Sequence, residues 1–133
     1  MRRLKLIDPQ ELHSHEAVDE AQVRRVAAMM KTSGYFHPPV LVDSATNVVL
    51  DGHHRVRASK VLGCNKIPCY CVDYLNDDEI VLESWKPETN PTKRDVIDMG
   101  LTENVFPRKT TRHLYEIPAC ITPAPLSDLI DGG

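Results

Sequence analysis

At 133 residues, with 41% apolar and 26% charged side chains, the chain has the size and composition of one globular domain, residues 1–133. A formal net charge of −3 speaks against a protein built to coat nucleic acid, which carries a basic excess. No apolar run approaches the roughly 20 residues of a membrane-spanning helix. Met1-Arg2-Arg3-Leu4-Lys5 has no apolar segment behind its arginines. The expected compartment is therefore cytoplasmic, with no membrane partner.

The first strong element is a helix from about Glu20 to Ser33, because Val23, Val26, Ala27 and Met30 recur on one face of a 3.6-residue period. Asp19 is its expected cap, Gln22 holds the reciprocal capping-box position, and Gly34 supplies a left-handed stop. After His37-Pro38-Pro39 come two β-rich runs, Val40-Leu41-Val42 and Val48-Val49-Leu50, around the turn-prone Asp43-Ser44-Ala45-Thr46-Asn47. The second run leads directly into Asp51-Gly52-His53-His54-Arg55 and a helix carrying Val56, Ala58, Val61 and Leu62 that stops at Gly63. Ile67 to Tyr74 and Glu79 to Trp85 read as two further strands with a turn at Asp77-Asp78.

Residues 86–91 read as a linker, Asn90-Pro91 as the start of a short helix ending at Gly100, and Leu126 to Ile130 as one helical turn. Phe106 to His113 reads as a charged loop. The sum is an α+β fold, a small mixed β-sheet with packed helices, whose strand order the sequence leaves open. Cys64, Cys69, Cys71 and Cys120 match no paired zinc pattern and are expected to stay reduced, with Cys69 and Cys71 on one strand face as small apolar groups.

Chemistry concentrates at the strand-to-helix junction. The first turn of a helix exposes backbone N–H groups and the positive end of the helix dipole, which together favour anions. Gly52 admits a close backbone approach, and His53, His54, Arg55 and Arg57 add donors, arginine being suited to phosphate. Asp51 does not belong in a bare anion cradle. A carboxylate beside phosphates suggests Mg²⁺, which takes oxygen ligands and bridges phosphate oxygens. Glu16, ahead of the first helix, is a candidate base for an alcohol proton.

These residues also carry a resemblance. Asp51-Gly52-His53-His54-Arg55-Val56-Arg57-Ala58 resembles the phosphate-binding box of the ParB/sulfiredoxin-like superfamily, and the D-G-H-H-R form resembles its free L-serine kinases. His15-Glu16 is similar to the H-E segment of those kinases, Trp85 to an active-site tryptophan, and Pro107-Arg108-Lys109-Thr110-Thr111-Arg112-His113 to their P-K-T-T-R-H segment. The resemblance implies phosphoryl transfer from ATP or ADP with Mg²⁺ to the hydroxyl of free L-serine or a similar small metabolite.

It further implies Glu16 and Asp51 as catalytic residues, with Asp51 also a candidate Mg²⁺ ligand. Gly52, His53, His54, Arg55, Lys109, Thr110 and Thr111 would hold nucleotide phosphates, and Trp85, Arg112 and His113 would hold the substrate. The serine kinases carry an extra lobe between the tryptophan and the P-K-T-T-R-H segment, an interval that here is only Lys86 to Arg108. A homo-oligomer is one way to complete the wall.

Two other readings share the phosphate box. One is a ParB-like nucleotide-dependent regulator or DNA-associated protein, against which the acidic charge and the lack of a helix-turn-helix extension weigh. The other is a sulfinic acid reductase, which needs a cysteine in the turn where this chain has His53.

Overall fold

The computed structural model describes residues 2–14, 17–84, 91–102, 111–118 and 121–130, and for residues 84, 111 and 112 the backbone alone. Its central sheet has four strands in the order β1-β5-β3-β4: β1 is Arg3–Ile7, β3 Val40–Asp43, β4 Val49–Asp51 and β5 Ile67–Val72. β3 and β5 run parallel, while β1 pairs antiparallel with β5 and β4 antiparallel with β3, so the sheet is mixed. The basic N-terminal segment is thus an edge strand, which the charge pattern alone did not reveal.

Register explains why both faces are apolar. Val40 pairs with Cys69 and Val42 with Cys71, placing these four on one face, while Leu41 and Tyr70 pair on the other. The first face is covered by α1 (Glu20–Ser33), α2 (His53–Val61) and α4 (Leu126–Ile130) through Val23, Ala27, Met30, Val56, Ala58 and Leu129. The second is covered by Tyr74, Ile80 and α3 (Lys93–Leu101), with Val96 and Ile97 buried. Burial pushes the Cys69 thiol up to about 12, as expected of a cysteine serving as an apolar group.

Helix ends follow their capping chemistry. The Asp19 side chain accepts from Ala21 N at 3.0 Å, and Gly34 closes α1 at φ 81. Gln22 does not complete a capping box; its Oε1 accepts from Arg25 instead. The box occurs on α3, where the Thr92 hydroxyl accepts from Asp95 N and Asp95 Oδ2 accepts from Thr92 N. Asn90 lies outside the described residues, and the cap belongs to Thr92, one residue after Pro91. Gly100 does not stop α3 but lies inside it, buried against Val48.

Two small pairs complete the fold. β2 (Tyr35–Phe36) meets β8 (Ala124–Pro125), and β6 (Val81–Ser84) pairs antiparallel with β7 (Thr111–Leu114). The Thr-Thr-Arg-His run, read from sequence as a loop, is therefore β-structure from Thr111 onward.

Candidate phosphate-binding site

β4 ends at Asp51 and α2 starts at His53, so Gly52 alone makes the junction. It holds φ 103 and ψ 24, a conformation that costs an L side chain about 1–2 kcal/mol. As N-cap it provides no side-chain hydrogen bond to the helix start. The Arg55 guanidinium folds back over it: a Cβ on Gly52 would stand 2.9 Å from Arg55 Nη2 and 3.3 Å from Val40 Cγ2. Arg55 Nη2 reaches Pro39 O at 3.5 Å, while its Nε is buried with no hydrogen-bond partner among the described residues. A buried donor left so costs about 1–3 kcal/mol, and such groups in native folds call for an explanation.

Asp51 is held from across the molecule. Tyr115, directly after β7, donates its hydroxyl to Asp51 Oδ2 at 2.6 Å. Burial first, and then the Asp51 carboxylate, raise the Tyr115 phenol above its ordinary range, with Arg55 close enough to oppose them. The hydroxyl therefore stays a donor at neutral pH. A second tyrosine secures β7 itself: Tyr74 Oη and His113 Nε2 lie 2.8 Å apart, with the rings edge to face at 5.3 Å. Burial likewise raises the Tyr74 phenol, which keeps its proton, and the tautomer of His113 sets which partner donates.

The third boundary is the approach to α1. His13 N donates to Asn47 O at 2.9 Å and Val49 N donates to His13 O at 2.7 Å, laying residue 13 beside β4. At the other end, Asp19 N donates to His54 Nε2 at 3.1 Å. His54 thus uses that nitrogen to hold the entry to α1. Arg57 forms an ion pair with Glu20 at 3.2 Å, both about half exposed, a contact of small energetic weight.

Among the residues singled out from sequence, Asp51, Gly52, His53, His54 and Arg55 are consecutive through the junction, and Tyr115 brings the end of β7 to them. Thr111, Arg112 and His113 belong to β7, the first two described by backbone alone. Glu16, Trp85, Lys109 and Thr110 lie outside the described residues. Tyr115 and Tyr74 were not anticipated. The one available signal was Tyr115 standing two places after His113, on the same side of an extended strand.

Among the described residues no group of three or more His, Cys, Asp or Glu could hold a metal. Asp51 is a single carboxylate with one oxygen engaged by Tyr115. That donor set fits Mg²⁺ arriving on nucleotide phosphates, which asks one or two carboxylates of the protein, and not an all-protein cage.

A mixed sheet whose strand-to-helix turn presents glycine, arginine and a helix start defines an α+β domain with a candidate anion site at that turn. The chain belongs to the ParB N-terminal domain family, whose model matches residues 2–84. It is 33% identical over 104 residues to an ATP-dependent L-serine kinase of Desulfurococcus mucosus, covering 72% of this chain and 40% of that protein. It is 34% identical over 83 residues to a ParB-like protein of Sulfolobus acidocaldarius, covering 62% of this chain and 41% of the relative. The chain thus spans about two fifths of the length of these curated relatives. The fold matches a free serine kinase solved in complex with AMP at a TM-score of 0.82 and 15% identity, over 95% of this chain and 93% of that one. No helix among the described residues is long and apolar enough to cross a membrane.

Proposed function

We propose that the protein is a small-molecule kinase that moves the terminal phosphoryl group of ATP or ADP to the hydroxyl of free L-serine, giving O-phosphoserine. The observation that carries this reading is the Asp51–Arg55 turn. A left-handed glycine opens a helix there under an arginine whose buried Nε has no partner among the described residues. Phosphate oxygens would meet the Arg55 guanidinium and the first-turn N–H groups together.

In this reading Gly52, His53, His54 and Arg55 form one wall and Lys109, Thr110 and Thr111 the other, while Trp85, Arg112 and His113 hold the amino acid. Asp51 would hold Mg²⁺ on the nucleotide, where the ion supplies charge neutralisation to the phosphates. Glu16 would take the proton as the serine oxygen attacks phosphorus. The bond to the departing nucleotide then breaks, leaving ADP from ATP or AMP from ADP.

Support for Glu16 as the base comes from the resemblance of His15-Glu16 to the H-E segment of the serine kinases. The kinase names of relatives support serine as the acceptor. Incubation with Mg²⁺, each nucleotide and a mixture of amino acids and small alcohols, read by mass spectrometry, should show phosphate gained by serine. Phosphate on no acceptor would refute the proposal. A cytoplasmic site of action, and completion of the pocket wall by a second copy of the chain, belong to the same proposal. Sedimentation would report a dimer.

The family match and the ParB-like relative favour one other reading, a nucleotide-dependent regulator associated with DNA. Salt-sensitive gel shifts without phosphotransfer would select it. The net charge of −3 weighs against it.

A further inference from the structure

The structure presents other features of note. An acidic turn at 73–79 is tied to Arg2, and apolar side chains such as Leu4, Leu6 and Met29 are exposed, but nothing shows what would bind or cover either. The Asp51–Tyr115 bond carries more. It joins residues 64 positions apart, is partly buried, and brings a hydroxyl to one specific oxygen of the carboxylate proposed to meet the metal. Tyr115 packs with Ile117 and Ile121 against the second core, so its ring is fixed by apolar neighbours while its hydroxyl faces the turn. Asp51 alternatives are thereby reduced: with Oδ2 accepting from Tyr115, Oδ1 is the oxygen left for a cation.

We propose that Tyr115 is a positioning residue that orients Asp51 for a nucleotide-borne Mg²⁺, binding the C-terminal end of β7 to the phosphate turn. This rests on the phosphotransfer reading only for its effect on rate. Its effect on metal-dependent binding stands independently. Partners that orient a ligating carboxylate are typically worth 10–100-fold in metal affinity or activity. A merely structural tyrosine would change stability without acting through Asp51.

The test is a double-mutant cycle on the full chain, using Tyr115→Phe, Asp51→Asn and both together, with ADP affinity measured by calorimetry with and without Mg²⁺. Wild-type protein is expected to bind ADP more tightly with Mg²⁺. Y115F should keep its metal-free ADP affinity within about threefold but lose about 10-fold of the Mg²⁺-dependent gain. In the D51N background the same change should have no further effect on that gain.

Where wild type phosphorylates serine, Y115F should lower kcat about 10-fold and leave the serine KM within about twofold. Equal losses from Y115F in both backgrounds, or a wild-type ADP affinity indifferent to Mg²⁺, would overturn the proposal. Should Y115F fail to fold, the Asp51→Glu variant tests the same geometry. With its carboxylate displaced from Tyr115, it is expected to bind Mg²⁺·ADP about as weakly as D51N, and wild-type affinity in it would overturn the proposal. Absence of phosphotransfer by wild type would refute the kinase reading while leaving the binding cycle to judge Tyr115.

Discussion

Gly52 holds φ 103 beneath the guanidinium of Arg55, and that pairing controls the turn. An alanine there adds left-handed strain of about 1–2 kcal/mol and a methyl group 2.9 Å from Arg55 Nη2. The arginine tip can swing away, whereas Val40, at 3.3 Å and fully buried, has little room. Gly52→Ala should therefore lower stability by about 1–2 kcal/mol in urea unfolding and weaken nucleotide binding further, since Arg55 is displaced. The Asp51–Arg55 turn was legible in the sequence because its members are consecutive and mark a strand end, a glycine turn and a helix start. Tyr115 was not: its partner lies 64 residues away, and only the packing of β7 beside β4 brings them together.

At the scale of elements, helices and inner strands announced themselves through periodicity, caps and turn residues. The elements that escaped notice are short edges whose residues carry little pattern. Arg3–Ile7 alternates charged and apolar side chains, and Thr111–Leu114 is polar, so neither resembles a buried strand. Gly100 shows how helix chemistry misleads when packing decides. A glycine near a helix end reads as a stop, yet its Cβ would lie 2.6 Å from Val48 Cγ1 and 2.8 Å from Cγ2.

Alanine at 100 gains about 1 kcal/mol of helix propensity but overfills a core position, which costs typically 1–3 kcal/mol. Gly100→Ala should be net destabilising, and Val48→Ala in that background should recover part of the loss in thermal melts. Thr92→Ala removes one arm of the α3 capping box and should cost about 1 kcal/mol by the same measurement.

Across the whole molecule, a sheet buried on both faces makes thiols and phenols part of the core, and this sets the pH window. Burial raises Cys64, Cys69 and Cys71 above the ordinary 9.0, with Cys69 pushed up to about 12, and raises Tyr74 and Tyr115 as well. The unfolded chain releases these protons first, so stability is full below pH 9.0 and falls as pH climbs from there toward the folded values. On the acid side, Arg2 holds Asp77 low and Thr92 holds Asp95 low. Their contribution is present above the ordinary 3.8 and disappears as pH falls through the folded values. Denaturant midpoints against pH should therefore form a plateau between these limits. Cys64, Cys69 and Cys71 should resist a thiol-reactive disulfide reagent at pH 8 until the protein unfolds.

The proposed pocket draws on segments far apart in the sequence, the turn at 52–55 and residues 109–111, and Tyr115 ties the end of β7 to Asp51. Measuring O-phosphoserine formation and nucleotide affinity together for wild type and Glu16→Gln tests this account most directly. Wild type should make O-phosphoserine from L-serine, Mg²⁺ and ATP or ADP. E16Q should lose about 100-fold or more of that rate while binding nucleotide within about threefold of wild type. A wild type that makes no phosphoserine, or an E16Q variant that makes it at the wild-type rate, would contradict it.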